Sequence, residues 1–112
     1  MKLVTAIIQP SRLDEVRDTL ARIGITGLTV TDVRGFGRQK GHTEVYRGAE
    51  FEVEFVAKLR LDMVIPDDRV KPVVDAIADS ARTGEIGDGK VFLSDIEEAL
   101  RIRTKETGDD AL

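Results

Sequence analysis

The residues best suited to binding chemistry lie in one glycine-rich stretch, TGEIGDGK, from Thr83 to Lys90. Closely spaced glycines allow backbone N–H groups to approach an anion, and the lysine adds a positive charge. Gly84 to Lys90 also fulfils the first part of the phosphate-binding P-loop pattern, but Val91 stands where that pattern needs a magnesium-binding Ser or Thr. The stretch moreover follows a predicted helix and begins a predicted strand, the reverse of a P-loop. We reject the P-loop and keep two interpretations, an anion-binding loop and a plain glycine turn.

Three more basic residues have positions that would suit an anion. Arg101 and Arg103 flank Ile102, so in a strand both would point to one face, and paired guanidinium groups match phosphate or carboxylate geometry. Lys58 lies within an apolar predicted strand. Each has a simpler interpretation, since surface arginines are commonly solvated and a lysine on an edge strand discourages aggregation.

The sequence offers no arrangement typical of an enzyme. Cysteine is absent, which excludes thiolate nucleophiles, disulfides and thiolate metal sites. His42 is the only histidine and has no carboxylate or second histidine at ligand spacing, so we interpret it as a loop residue. No Ser–His–Asp arrangement can be identified. We therefore predict a binding protein with no catalytic residues.

Charge and hydropathy limit the class of partner. Seventeen basic and 21 acidic residues give a formal charge of −4, whereas a general nucleic-acid binder needs a basic footprint. Arg34 to Gly37 matches half of an RNA-recognition signature, but Arg38 replaces the next aromatic, which leaves an RNA-binding module as a weak alternative. No stretch approaches the 18 apolar residues of a membrane-spanning helix, and no signal-peptide cleavage site follows the first apolar run. We expect a cytoplasmic protein.

Hydrophobic periodicity predicts the elements that must position these residues. The predicted strands are Leu3–Ile8, Thr29–Val33, Val56–Ile65 and Lys90–Leu93, with Leu100–Arg103 as a short fifth candidate and a mobile tail from Lys105 to Leu112. Apolar residues at helical spacing predict two helices, the first with Leu13, Val16, Leu20 and Ile23 on its buried face and the second with Val70, Val73, Val74 and Ile77. Ser11 and the turn Pro66-Asp67-Asp68 are the expected caps, and Gly24 and Arg82 mark the helix ends.

The order strand–helix–strand occurs twice, which predicts an α+β, ferredoxin-like βαββαβ fold in a single domain of residues 1–112. About twenty residues, Gly37 to Phe55, separate the second and third strands. Loops of this length in compact domains are usually functional or disordered. Phe51 to Phe55 alternates aromatic or apolar with acidic residues and is a candidate extension of the third strand. An exposed arm of this kind commonly binds a partner.

Three long motifs in this order resemble those of the PII nitrogen-regulatory signal-transduction family, and the likeness covers essentially the whole chain. They are the root of the long loop, GFGRQKGHTE (Gly35 to Glu44), the segment YRGAEF (Tyr46 to Phe51), and the glycine stretch with its strand (Thr83 to Ile96). The ending Asp110-Ala111-Leu112 is also typical of the family.

The resemblance implies a homotrimer of ferredoxin-like subunits with an effector site in each of three intersubunit clefts. ATP and ADP would compete there, and Mg²⁺ and 2-oxoglutarate would bind with ATP. The family's T-loop corresponds to about 37–55, its glycine-rich B-loop to about 82–90 and its C-terminal loop to about 102–112.

The resemblance also assigns residues to this site. Those implied for phosphate are Gly87, Asp88, Gly89, Lys90, Arg38 and, across the cleft, Arg101 and Arg103. Those implied for the nucleoside are Ile7, Gly27, Thr29, Asp62, Met63 and Val64, while Gly35 and Gly37 would let the loop root approach it. Gln39 would contact magnesium and 2-oxoglutarate, and Lys58 would pair with the distal carboxylate.

The implied function is that of a signal transducer with no enzymatic activity. ATP, Mg²⁺ and 2-oxoglutarate would fix one arrangement of the T-loop and ADP would permit another. Through Tyr46, Arg47 and Phe51 the loop would bind an ammonium channel, nitrogen-assimilation enzymes or regulators, and a channel would bring the protein to the membrane. The alternatives are slow ATP hydrolysis in the same cleft, a plain structural trimer and the RNA-binding module.

Several positions depart from the family pattern. Phe51 stands where many members carry a tyrosine that is modified with a nucleotidyl group, and phenylalanine has no oxygen to modify. Ala49 likewise excludes serine phosphorylation. We therefore expect regulation by ligands alone. Asp62 and Gln9 replace an expected glutamate and lysine, and the shorter Asp62 would weaken a nucleoside contact.

Overall fold

The computed structural model describes residues 1–36 and 55–112. These residues form a four-stranded antiparallel sheet and two helices. The strands are β1 (Lys2–Ile8), β2 (Thr29–Gly35), β3 (Val56–Ile65) and β4 (Gly89–Asp95), and the helices are α1 (Leu13–Arg22) and α2 (Val70–Ala81). The chain order is β1-α1-β2-β3-α2-β4 and the sheet order is β2-β3-β1-β4. The predicted ferredoxin-like α+β fold is confirmed.

Alternation along the two central strands decides which face of the sheet is buried. Val4, Ala6 and Ile8 of β1 are buried, and the alternating residues between them are only half-buried. β3 follows the same rule, with its buried apolar residues at Leu59, Leu61, Met63 and Ile65. Because Ala6 pairs with Leu61 and Val4 with Met63, the buried residues of both strands share one face. Both helices cover that face, and the other face is left open.

The helices bury the faces that their periodicity predicts. Val16 and Leu20 of α1 and Val73 and Ile77 of α2 are at most 1% exposed. The other predicted apolar positions, Leu13, Ile23, Val70 and Val74, are partly buried against the same core. A glycine with a φ of +89°, Gly24, follows α1, as expected of a helix stop. None of the described helices is long and apolar enough to cross a bilayer.

The predicted helix caps are wrong. Each helix instead continues from a short 3-10 turn, Pro10–Arg12 or Asp67–Arg69, and neither turn nor helix start has a side-chain cap. The turns close their own backbone bonds, from Arg12 N–H to the Gln9 carbonyl (3.0 Å) and from Arg69 N–H to the Pro66 carbonyl (2.9 Å). These bonds satisfy backbone N–H groups that would otherwise donate to a side-chain cap. Asp67 instead pairs with the N-terminal ammonium at 2.9 Å.

An arginine from each half of the chain binds the end of the other half's helix. Arg12, just before α1, donates two hydrogen bonds (3.1 and 2.6 Å) to the carbonyl of Ser80 near the end of α2. Arg69, just before α2, donates to the carbonyl of Ile23 at the end of α1. Ile23 lies eleven residues after Arg12, and Ser80 lies eleven residues after Arg69. The two contacts are therefore related by internal symmetry. They satisfy helix-end carbonyls with positive charge.

The predicted fifth strand, Leu100–Arg103, is also wrong. Leu100 forms only an isolated bridge with Thr107, and the chain reverses between them through a turn that includes Lys105 at a φ of +64°. Alternation over so few residues therefore did not indicate a strand. The tail expected to be mobile is folded, with a 3-10 turn at Gly108–Ala111 and a hydrogen bond of 2.9 Å from Arg101 to the Leu112 carbonyl.

We predict that Arg12→Ala and Arg69→Ala each lower the free energy of unfolding by about 1–3 kcal/mol, because each leaves a helix-end carbonyl without its charged donor. Arg17→Ala is the control, since among the described residues Arg17 pairs with exposed Asp14 and Asp18, and it should cost less than about 0.5 kcal/mol. Urea unfolding at one fixed protein concentration measures all three. Arginine variants as stable as the control would contradict the cross-capping role.

Candidate functional site

One end of the open sheet face forms a cavity of about 510 Å³. All four strands and the connection between α2 and β4 supply its walls. The lining residues are Ile7, Gly35, Phe36, Lys58, Glu85, Ile86, Gly87, Asp88, Gly89, Lys90 and Phe92. Seven of the residues implied by the family resemblance are therefore brought together here by one chain: Ile7, Gly35, Lys58 and the run from Gly87 to Lys90.

The carboxylate of Asp88 organises the glycine-rich connection. It accepts hydrogen bonds from the backbone N–H groups of Thr83 and Gly84, each at 2.8 Å, and from the Thr83 hydroxyl. The Thr83 hydroxyl in turn accepts the N–H of Glu85 at 3.2 Å. The Thr83 hydroxyl bond, with the two backbone bonds and the nearby Arg82, lowers the pKa of Asp88 despite partial burial. This side chain is thus committed to the fold of the connection.

Gly89 is held closely against β1. Its φ is +110°, and a Cβ built on it would lie 1.7 Å from the carbonyl oxygen of Ile7. Any other residue would both strain the backbone and collide with β1. Gly87, with a φ of +104°, is a second position in the left-handed region. These glycines therefore do more than soften a turn, since they allow the connection to lie directly on the sheet.

Lys58 faces the cavity from a central strand. β3 lies between β2 and β1, so the interpretation of an edge-strand lysine is wrong. The residue is 8% exposed, and its ammonium donates to the carbonyl of Gly87. A carbonyl satisfies one of three ammonium donors and does not neutralise the charge. A buried cation in this position favours an anion in the cavity.

The second group of predicted residues lies toward the other end of the sheet. Thr29 pairs with Asp62, four residues along β3 from Lys58 and therefore about 13 Å away. Gly27 precedes β2, and Val64 lies two residues beyond Asp62. Met63 is 4% exposed in the core, so its side chain does not reach the open face. A single chain does not place this group and the cavity around one small ligand.

Asp62 already has protein partners on the open face. Its carboxylate accepts a hydrogen bond of 2.6 Å from the Thr5 hydroxyl and one of 2.9 Å from Arg60 Nε. Burial acts to raise the pKa of Asp62, but these bonds outweigh it and the pKa is lowered. Asp62 is an ionised member of a small network that joins β1 to β3.

Arg101 and Arg103 lie in the C-terminal turn and do not line the cavity. Arg101 is half-buried and binds the Leu112 carbonyl, whereas Arg103 is exposed. Because the strand that would align them is not formed, the prediction that they share a strand face is wrong. The remaining predicted residues, Gly37, Arg38, Gln39, Tyr46, Arg47 and Phe51, lie outside the described residues, as does His42.

Sequence reasoning missed four residues of the cavity wall: Phe36, Glu85, Ile86 and Phe92. Signals for three of them were available. Phe92 shares a strand face with Lys90, Ile86 is an apolar residue within a polar glycine stretch, and Phe36 lies between two glycines. Together with Ile7, these three residues form the apolar part of the cavity wall.

The fold is that of a small ferredoxin-like protein, and the cavity, lined by Lys58 and Lys90 as well as Glu85 and Asp88, is its candidate binding site at one end of the sheet. The model of the family described as Nitrogen regulatory protein P-II matches residues 1–106. Over all 112 residues of both chains, the sequence is 58% identical to the nitrogen regulatory protein P-II of Rhodobacter capsulatus and 56% identical to nitrogen regulatory protein P-II 1 of Escherichia coli K12. The chain therefore belongs to the nitrogen regulatory protein P-II family.

A solved structure agrees with this assignment. The crystal structure of Arabidopsis thaliana PII bound to citrate matches with a TM-score of 0.83 and 41% identity, covering 99% of this chain and 91% of that one. The resemblance drawn from the three sequence motifs is confirmed. The relatives are named as regulatory proteins, which fits a nitrogen regulatory signalling protein.

We predict a graded series for alanine in place of three glycines. Gly27→Ala should be almost neutral, since nothing lies within 4 Å of the added Cβ and its φ is not positive. Gly84→Ala should cost about 1–2 kcal/mol, from its φ of +93° alone. Gly89→Ala should cost more, because collision with Ile7 adds to the strain. Thermal unfolding measures the series, and a Gly89 variant no worse than the Gly84 variant would contradict the close approach.

We also predict that the stabilisation from Asp88 depends on pH. Its native pKa lies below the unfolded value of about 3.9, so the stabilisation is complete above that pH and is lost as the pH falls through the native value. The difference in Tm between wild type and Asp88→Asn should be constant from about pH 7 to 5 and should shrink below about pH 4. Asp75→Asn, on the exposed side of α2, is the control. A difference that persists at the lowest pH would contradict this role.

Proposed function

We propose that the cavity is one part of a shared site for ATP or ADP, Mg²⁺ and 2-oxoglutarate, and that occupancy of this site controls target binding by residues 37–55. The observation that carries the proposal is the buried ammonium of Lys58 beside the glycine-rich connection. Lys90 adds a second positive charge at the cavity wall.

The chemistry of the cavity suits small multivalent anions. Glycine-lined backbone N–H groups and two lysines match phosphate and carboxylate oxygens, and Ile7, Ile86 and Phe92 add apolar contacts. The Arabidopsis PII neighbour is bound to citrate, itself a polycarboxylate. Lys58 pairs with the distal carboxylate of 2-oxoglutarate in this proposal, and Gly87 to Lys90 contact phosphate.

The separation of the predicted residues supports an assembly of subunits. Because Gly27, Thr29 and Asp62 to Val64 lie toward the opposite end of the sheet from the cavity, a nucleotide that contacts both groups needs them from different chains. The open sheet face supplies a surface for assembly, including the half-exposed side chain of Phe92. We adopt the homotrimer implied by the family, with Arg101 and Arg103 contributed across the cleft.

Magnesium in this proposal is held mainly by ligand oxygens. Within residues 1–36 and 55–112 no group of three or more acidic or histidine side chains could hold a metal ion. In this proposal the ion enters with ATP and 2-oxoglutarate and takes one protein contact from Gln39. The ion would offset the negative charge between the two anions.

The output of the site is target binding. The ammonium channel, nitrogen-assimilation enzymes or their regulators are the targets we propose, with Tyr46, Arg47 and Phe51 in contact. Since Phe51 has no hydroxyl, effectors control this binding without nucleotidylation at position 51.

The proposal is tested by calorimetric titration of 2-oxoglutarate with ATP and Mg²⁺, with ADP and Mg²⁺, and without nucleotide. We expect binding only with ATP and Mg²⁺. Nucleotide binding with no 2-oxoglutarate response would reduce the function to sensing of the adenylate ratio. No nucleotide binding, or turnover of ATP without target proteins, would contradict the proposal.

The same titration separates the roles of the two lysines. Lys58→Met should weaken 2-oxoglutarate binding at least about tenfold, because it removes a charged donor, while nucleotide binding persists. Lys90→Ala should weaken the binding of the nucleotide itself. Lys71→Met is the matched control, since Lys71 is exposed on α2 and pairs with Asp75. Equal behaviour of the Lys58 and Lys71 variants would remove the observation on which the proposal rests.

A further inference from the structure

The two phenylalanines that border residues 37–54 contact each other. Phe36 directly follows β2 and Phe55 directly precedes β3, and their ring centroids lie 5.8 Å apart at a tilted angle of 56°. This geometry is a favourable one for aromatic pairs. Gly35 and Val56 form the last backbone pair of β2 and β3, so the two rings extend the contact between the strands by one position.

Only one of the two rings belongs to the cavity. Phe36 is a lining residue, and Phe55 is not. Both side chains are largely exposed, at 63% and 58%. A largely exposed ring depends strongly on each contact that it makes, and within residues 1–36 and 55–112 the aromatic contact of Phe36 is Phe55.

We propose that Phe55 is a positioning residue that holds the Phe36 ring in the cavity wall and thereby sets effector affinity without touching the effector. This inference rests on the proposed function of the cavity. If Phe36 occupies the wall position for only a fraction of the time, the apparent affinity falls by that fraction. Phe55 keeps this fraction high through its tilted contact with the Phe36 ring.

The ring pair also couples the effector to the two residues that border residues 37–54. An effector that packs on Phe36 favours the paired arrangement of the rings. By reciprocity, a ligand that separates Phe55 from Phe36 weakens effector binding by the same factor by which the effector weakens the binding of that ligand. A target that binds residues 37–54 and changes the ring contact would therefore alter the effector affinity of the same subunit.

A double-mutant cycle tests the proposal, with 2-oxoglutarate titrated in the presence of ATP and Mg²⁺. Phe55→Ala should weaken binding about threefold to tenfold, the range expected for one aromatic pair. In a Phe36→Ala background the same change should have little further effect. Phe55→Tyr should restore most of the affinity, because it keeps the ring, whereas Phe55→Leu should not.

Ile86→Ala provides the matched control for the cycle. Ile86 lines the same cavity and is 55% exposed, but it is not part of the ring pair. Its effect on affinity should add to that of Phe55→Ala. If Phe55→Ala costs as much in the Phe36→Ala background as in the wild type, the rings act separately and the proposal is wrong.

A measurement without effector keeps the positioning role separate from the proposed function. The chain has four phenylalanines, so fluorophenylalanine labelling gives four fluorine resonances that single substitutions assign. Phe55→Ala should shift the resonance of Phe36 and leave that of Phe92 unchanged. An unmoved Phe36 resonance would overturn the positioning role. Failure of the wild type to bind any effector would instead contradict the proposed function and the effect on affinity.

Discussion

The contact between Gly89 and the carbonyl of Ile7 is the constraint on which the rest of the site depends. It allows β4 to pair with β1 from its first residue, Gly89 opposite Ile8. The preceding residues are thereby brought over the open face, where the carbonyl of Gly87 accepts the bond from Lys58. Asp88 then closes the connection on itself through Thr83 and Gly84. Buried charge, glycine backbone and cavity wall all follow from one position at which a Cβ does not fit.

The two halves of the chain share a plan, and the site lies where they differ. Arg12 and Arg69 are equivalent, and so are the fully buried pairs Val16 with Val73 and Leu20 with Ile77, each 57 residues apart. After α1, the connection to β2 packs Ile25 and Leu28 against the core. After α2, the connection to β4 is polar, glycine-rich and bound to its own aspartate. The two helices and their arginines are thus symmetric. The connection before β2 packs on the core, whereas the connection before β4 lines the cavity.

The parts of the structure that follow from periodic burial were predictable. The four strands and two helices came from alternation and helical spacing and were correct to within about two residues, because burial on one face leaves a regular pattern in the sequence. Features that depend on partners elsewhere in the chain were not. The helix starts use backbone 3-10 bonds in place of caps, the C-terminal segment reverses at once, and the central place of β3 appears only with the strand order. The cavity gathers seven predicted residues but also Phe36, Ile86 and Phe92, which are brought together by the strand register and by the path of the connection before β4.

The end of the β2–β3 ladder at Gly35 and Val56 has a consequence for how this chain can vary. Changes of length between Phe36 and Phe55 leave the described pairs of β2 and β3 in register, and the entropy of closing a longer loop rises only slowly with length. The connection from Arg82 to Asp88 has no such freedom, because the Gly89 contact and the Lys58 bond to Gly87 fix both its length and its path. Among the described connections, the one from Arg82 to Asp88 is therefore the one in which a change of length would displace both a strand end and a buried charge.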